Sequence, residues 1–359
     1  MAECLRIVQV NAYHYPYRGG IEHRIHHVSK RLAKKHEVIV LTSQLPDSSV
    51  EEEIDGYRVI RLPSKYYNIY NPPYVATPGL LEKLAELKPD VADFHYRWAP
   101  TYNKAARRYP GKKVFTFHNT YGEGVGITRL PSLINDMGWK RHLPCFDRIV
   151  CVSEFVRNDL IERGLDPQKL VAIPNGIENM ASDPQFKEED FILFVGRLVN
   201  TKGLKYLVEA MPKVDSKLVI CGAGPEEGRL HKQIAKLHLE GKVELAGKVS
   251  EEKKTQLMST CKVFVMPSIF ESYGIAVAEA MSYGKAIVAS NVGGLPEVVC
   301  DAGKLCSPRD PPDLASKINA LLNDCDARNL CARNAAKHAC GYSWERIADL
   351  MEKEYLRLS

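Results

Sequence analysis

A chain of 359 residues is too long for one ordinary hydrophobic core and suits two domains of roughly 150–200 residues each. Apolar residues at 45% and charged residues at 26% describe an ordinary globular chain, and a net charge of +5 is too mild to indicate a nucleic-acid partner. No apolar run approaches the ~20 residues that cross a bilayer, and the start lacks the layout of a cleavable signal peptide.

The first half alternates short apolar runs with amphipathic segments. Strands are predicted at Leu5–Val10, Val38–Leu41, Val91–Phe94, Val114–Phe117 and Ile149–Val152. Helices are predicted at Ile21–His36, Gly79–Leu87, Thr101–Tyr109 and Glu154–Arg163. This alternation indicates crossover units and a mostly parallel sheet. After Pro174-Asn175-Gly176 the chain turns polar to about Glu189, as a linker would. A second series follows, with strands at Phe191–Val195, Lys217–Cys221, Val243–Leu245, Val263–Met266 and Ala286–Ser290. Its helices are predicted at Leu204–Met211, Glu251–Thr260 and Gly274–Tyr283, and a final helical segment begins at Ser343. The expected architecture is α/β: two doubly wound domains, residues 1–178 and 188–342, with segment 343–359 returning to the first.

Ten cysteines are scattered without a C-x-x-C pair, which fits reduced thiols in a cytoplasmic protein better than disulfides or zinc. Asp324-Cys325-Asp326 reads as a helix end, and His23, His26 and His27 as a surface face, so neither is taken as a metal site.

In open parallel sheets, ligands bind beyond the carboxyl ends of the strands. The unusual polar and glycine residues fall there in both halves, and the two edges are expected to face a common cleft. Gly19-Gly20 leads into a helix and either lets backbone N–H groups meet a phosphate or is a plain turn. Gly196-Arg197 and Lys202 suit a departing diphosphate, or are solvated cations. Gly222 and Gly224 suit close approach to a ligand, or a tight turn. The most informative stretch runs from Pro267 to Met281. Glu271 lies in a loop, Glu279 on the following helix, and N–H groups near Tyr273, Gly274 and Ile275 are available to phosphate. Two such carboxylates suit the hydroxyls of a ribose and a sugar, unless Glu279 is a structural ion pair.

Glu271 and Glu279 form E-x₇-E inside P-S-x-x-E-S-Y-G, and with Gly19-Gly20, His118, Ser153-Glu154, Pro174-Asn175-Gly176, Gly196-Arg197-Leu198, Lys202-Gly203, Gly222-x-Gly224-Pro225 and Gly293-Gly294-Leu295-Pro296-Glu297 the chain resembles glycosyltransferase family 4. The resemblance implies the GT-B fold and transfer of a sugar from a nucleotide-sugar donor, UDP- or GDP-linked, with retention of configuration. It implies that Arg197 and Lys202 neutralise the diphosphate, that Glu279 holds the ribose, and that Glu271 and His118 contact the sugar. Gly20 would approach the phosphates, and Glu154 and Asn175 would lie on the acceptor side. No cofactor or divalent metal is required by this scheme.

Between Arg18 and His36 there are six Lys or Arg, four His and one acid, Glu22, with an apolar stripe at Ile25, Val28 and Leu32. Arg24, Lys30, Arg31, Lys34 and Lys35 are therefore candidates for an anionic membrane surface, unless the stripe faces the core. Aromatic residues between Lys65 and Tyr74 add to that reading. The pattern is similar to family members that glycosylate phosphatidylinositol or other lipid-linked acceptors. The expected partners are a nucleotide-sugar, a lipid or glycan acceptor, and no nucleic acid, for a monomer or homodimer. Competing readings are a related epimerase or phosphorylase, or a binding module that turns nothing over.

Overall fold

The computed structural model describes residues 4–17, 19–67, 73–95, 100–118, 138, 141–178 and 188–359. Most of the linker expected before Glu189, the middle of the aromatic segment and Arg18 lie outside these residues. The chain forms two compact units, Met1–Gly176 with Trp344–Ser359, and Ile177–Ser343.

In the first unit the strands are β1 (Arg6–Val10), β2 (Glu37–Ser43), β3 (Glu51–Ile54), β4 (Tyr57–Leu62), β5 (Lys65–Tyr67), β6 (Tyr74–Ala76), β7 (Val91–Phe94), β8 (Lys113–Phe117), β9 (Arg148–Cys151) and β10 (Leu170–Ala172). Its helices are α1 (Gly20–Leu32), α2 (Leu80–Leu87), α3 (Pro100–Arg108) and α4 (Glu154–Glu162). The main sheet has the order β10-β9-β8-β7-β1-β2-β4-β3, parallel except at β3, while β5 and β6 form a separate ribbon. Val and Ile dominate its central strands because both faces are covered. The edge strand β3 is instead Glu51-Glu52-Glu53-Ile54, and charge of one sign there discourages pairing with another chain.

The second unit contains β11 (Phe191–Val195), α5 (Leu204–Ala210), β12 (Lys217–Cys221), α6 (Glu227–Lys236), β13 (Val243–Gly247), α7 (Glu251–Thr260), β14 (Val263–Met266), α8 (Ile275–Ser282), β15 (Ala286–Ser290), α9 (Leu295–Val299), β16 (Gly303–Cys306), α10 (Pro311–Asn323) and α11 (Cys325–Ala339). Its all-parallel sheet runs β13-β12-β11-β14-β15-β16, the Rossmann order, so the order of winding reverses between β11 and β14. Asp324 caps α11 by accepting from the Ala327 N–H, so the Asp-Cys-Asp sequence is a helix start.

The last helix, α12 (Trp344–Leu356), belongs to the first unit. Trp344, Ile347, Met351 and Tyr355 pack with Ile25, Val28 and Leu32 of α1 in one hydrophobic cluster. A Cβ at residue 176 would overlap the Trp344 ring, so the glycine of Pro-Asn-Gly makes room for this helix. The apolar stripe of α1 is therefore core.

Candidate functional site

Where the winding order reverses in a parallel sheet, the strand ends leave a crevice for a ligand. In the second unit that point is marked by the loops after β11 and β14, which carry Arg197, Lys202 and Glu271. Arg197 is exposed and forms no ion pair with a described residue. Lys202, in a 3₁₀ turn, bonds through Nζ to Oε2 of Glu271, and Ser268 Oγ donates to the same oxygen at 3.4 Å. With side chains 19% and 13% exposed, the Lys202–Glu271 pair is shielded yet reachable. The loops are bound to each other through the backbone: the Ile269 N–H donates to Thr201 O at 2.8 Å.

Gly293-Gly294 after β15 fixes the Glu271 loop from the other side. Gly293 has φ +57°, a Cβ there would overlap the Glu271 carbonyl oxygen, and the Gly294 N–H donates to that oxygen at 3.0 Å. Gly222, with φ +142°, plays the same part against the β11 loop, since a Cβ would overlap the Gly196 carbonyl. Gly224 crowds the Leu198 carbonyl in the same way. The sequence left Gly222 and Gly224 between close approach to a ligand and a tight turn; in the structure both pack against the backbone of the β11 loop.

Glu279 stands apart from this pair. It is 28% exposed and lies 3.7 Å from Lys254 of α7, which holds Glu251 more closely at 2.7 Å. Burial raises the Glu279 pKa, opposed by Lys254. The two glutamates of E-x₇-E thus have different cationic partners, and Lys254 was not anticipated from its lysine-rich surroundings. Gly274, left-handed at φ +105°, precedes Ile275 at the start of α8, where no side chain caps the helix. The Tyr273 ring is buried and lies edge-on to Tyr342.

In the first unit His118 follows β8 and is half-buried. Its Nε2 is 3.0 Å from Nδ1 of His95, and burial, His95 and Arg24 lower its pKa well below the ordinary histidine value. Gly19 caps α1 and Gly20 is exposed, but the same helix start already holds a carboxylate. Glu22 accepts from Asn11 at 3.0 Å and from the Gly19 backbone, and burial raises its pKa to about 7. Glu154 opens α4 as an exposed side chain 3.3 Å from Arg157. Asn175, expected on the acceptor side, is 5% exposed and accepts from Arg24 at 3.0 Å, so it is a joint of the core.

The basic helix needs correction. Arg24 is 1% exposed, donating to the carbonyls of Pro174 and Ile173 as well as to Asn175, and is no surface cation. Arg31 pairs with Glu345 at 2.7 Å, Lys30 with Asp55 at 3.2 Å and Lys35 with Glu352 at 2.8 Å, which leaves exposed Lys34 without an ion pair to a described residue. The apolar stripe that would enter a bilayer is packed on α12. The three histidines also do not form a solvated face, because His27 stacks on Trp344 at 4.9 Å and His26 bonds to Tyr57 at 2.8 Å. Among the described residues no helix is long and apolar enough to cross a membrane.

The fold is shared with solved glycosyltransferase structures. Sucrose-phosphate synthase of Thermosynechococcus elongatus aligns with a TM-score of 0.81 at 21% identity, covering 99% of each chain. Anabaena HepE, solved with UDP-glucose, aligns with a TM-score of 0.78 at 19% identity, over 98% of this chain and all of that one. Two Rossmann-like units with this likeness define a protein of the GT-B fold. Residues 18–179 match Glycosyltransferase Family 4, and residues 177–338 match Glycosyl transferases group 1. The chain thus carries a glycosyltransferase family 4 domain followed by a glycosyl transferases group 1 domain, and is a glycosyltransferase of GT-B type. Among its relatives, a phosphatidylinositol N-acetylglucosaminyltransferase component from Arabidopsis thaliana is 29% identical over 98% of this chain and 82% of that protein. An uncharacterized glycosyltransferase of Methanocaldococcus jannaschii is 27% identical over 98% of both.

Proposed function

We propose that the protein transfers a sugar from a nucleotide diphosphate donor to an acceptor hydroxyl on a lipid or lipid-linked glycan, retaining an α configuration. The observation that carries this reading is the gathering of Arg197, Lys202 and Glu271 at the reversal point of the second sheet. The lipid acceptor rests on the relative whose name includes phosphatidylinositol, and UDP is the first nucleotide to test because HepE was solved with UDP-glucose.

In the protein alone, Lys202 and Glu271 satisfy each other. A donor diphosphate would draw the ammonium to itself and release the Glu271 carboxylate to accept from sugar hydroxyls. Arg197 would add the second positive charge, and the start of α8 would offer N–H groups to phosphate. Glu279 would accept from the ribose hydroxyls, and His118 from a sugar hydroxyl. As the bond from the anomeric carbon to the phosphate oxygen breaks, the acceptor oxygen bonds to that carbon on the same face, and its proton passes to the departing phosphate. Charge stabilisation and positioning then lower the barrier, a scheme that draws on no cofactor or divalent ion.

Thermal denaturation with UDP, GDP and ADP tests the donor site. A ligand held only by the folded state stabilises it by about 2.7 kcal/mol at a hundredfold excess over its dissociation constant. One nucleotide should raise the midpoint, and Glu279→Ala should abolish the rise. No shift with any nucleotide at saturation would remove the donor site.

A further inference from the structure

Five polar side chains lie in the interior of the first unit beside His118 with no part in the scheme above: Gln9, Asp93, His95, Thr116 and Tyr355, none more than 5% exposed. The first four stand on or next to the adjacent strands β1, β7 and β8, with Gln9 in register with Asp93. Tyr355 reaches them from α12. They form one hydrogen-bonded run: Tyr355 Oη lies 2.6 Å from Asp93 Oδ2, Gln9 Nε2 3.0 Å from Tyr355 Oη, His95 Nε2 2.5 Å from Gln9 Oε1, and His118 Nε2 3.0 Å from His95 Nδ1.

The protons in this run have one consistent arrangement when Asp93 is ionised. A carboxylate only accepts, so the Tyr355 hydroxyl must donate to it. The phenol oxygen then accepts from the Gln9 amide N–H₂, which turns the Gln9 carbonyl toward His95. His95 must answer with a proton on Nε2. Burial and the Arg24 charge keep His95 neutral, so its Nδ1 carries a lone pair. That lone pair requires the His118 proton on Nε2, and His118, also neutral, bears its own lone pair on Nδ1. Thr116 Oγ1 supports Asp93 by donating at 3.0 Å. Among the described residues, the charged and titratable groups around the run are Arg24 on α1, His14 in the loop after β1, and Tyr355 itself. Burial raises the Asp93 pKa to about 6, so at pH 7.5 the carboxylate is ionised.

We infer that Asp93, Tyr355, Gln9 and His95 are positioning residues that hold His118 in the Nε2–H tautomer and so fix Nδ1 as the atom able to accept a substrate hydrogen. The inference rests on the proposed function only for what His118 touches; the tautomer is a property of the protein alone.

The test is two-bond ¹H–¹⁵N correlation spectroscopy on the full chain labelled in histidine, at pH 7.5, with His118 assigned from its loss in His118→Gln. His118 should appear as a single neutral Nε2–H tautomer. In Tyr355→Phe and Asp93→Asn, which remove the directing acceptor or its relay, it should become a mixture of tautomers. A wild-type His118 protonated on Nδ1, or an Nε2–H form unchanged in both variants, would overturn the inference. If a variant does not fold, a wild-type His118 protonated on Nδ1 still overturns the inference. In a transfer assay Tyr355→Phe should lower kcat about tenfold with the donor KM unchanged, as loss of one directed hydrogen bond implies. The fixed tautomer without sugar transfer would sink the proposed function and leave this inference; transfer without the fixed tautomer would do the reverse.

Discussion

Lys202 and Glu271 neutralise one another in the protein alone, whereas Arg197 is exposed and has no such partner among the described residues. Arg197 therefore contributes little to folding, and under the proposed function its charge would meet the donor diphosphate. Arg197→Ala should lower turnover about a hundredfold or more, the range found when one charge-stabilising donor is removed, with the unfolding midpoint almost unmoved. Steady-state rates and a melting curve check this together; wild-type turnover in the folded variant would refute the role. Glu279 carries a pH prediction. Its carboxylate must be ionised to accept from hydroxyls, and burial has raised its pKa. Donor affinity should then fall with acidification at a higher pH than for an ordinary glutamate. Titrating a UDP-sugar across pH 4.5–7.5 should show the fall in wild type and a flat profile in Glu279→Gln; identical profiles would exclude Glu279. Glu279 was legible because a carboxylate in a small, apolar stretch stands out, and Glu271 because it sits in a loop just after a buried strand. Their separate partners were not, because Lys254 comes from another helix. Gln9, Asp93 and His95 did carry a signal: each interrupts or ends an apolar strand, a place where polar groups are rarely idle.

At the level of elements, the reading from sequence worked where periodicity was clean. The predicted strands and helices all exist, most within two residues of their predicted ends. The hairpin of β3 and β4 escaped because Glu51-Glu52-Glu53 has the composition of a loop, and only pairing with β4 makes it a strand. The basic helix α1 was ambiguous for a related reason. Its stripe suits a membrane or a core equally well, and only α12 decides between them. Here Trp344 is the strongest anchor, 2% exposed between α1 and Gly176. Trp344→Ala should destabilise the protein by about 3–5 kcal/mol, the usual effect of emptying a buried aromatic position. Denaturant unfolding measures it, and a loss under about 1 kcal/mol would mean that α12 is loosely docked. Packing also governs Gly293, which lies against the Glu271 backbone. Gly293→Ala should disturb donor binding by displacing that loop, read as a weaker nucleotide-induced thermal shift; an unchanged shift would show that the loop tolerates the substitution.

For the molecule as a whole, the buried titratable groups set how stability follows pH. His14 and His27 are lowered to about 3, and His95 and His118 well below their ordinary value, chiefly by burial. Below the unfolded pKa of about 6.5 they take up protons only when the chain unfolds, so stability is lost as pH falls. Glu22 and Asp93, raised to about 7 and about 6, oppose this, because the folded chain holds their protons more firmly. His142 is also lowered and Glu279 also raised, so five groups against three predict a net loss of stability from pH 7 to pH 5. Melting curves across that range check the sign, and a midpoint that rises with acid would contradict it.

The central claim is transfer with retention, and product analysis meets it most directly. The protein would be incubated with a UDP-α-sugar and phosphatidylinositol in mixed micelles, and the anomeric configuration of the new bond read by NMR coupling constants. An α-linked glycolipid, absent with Arg197→Ala, is the predicted result. A β-linked product, or none from folded protein that binds the nucleotide with any UDP- or GDP-sugar and lipid acceptor, would contradict it.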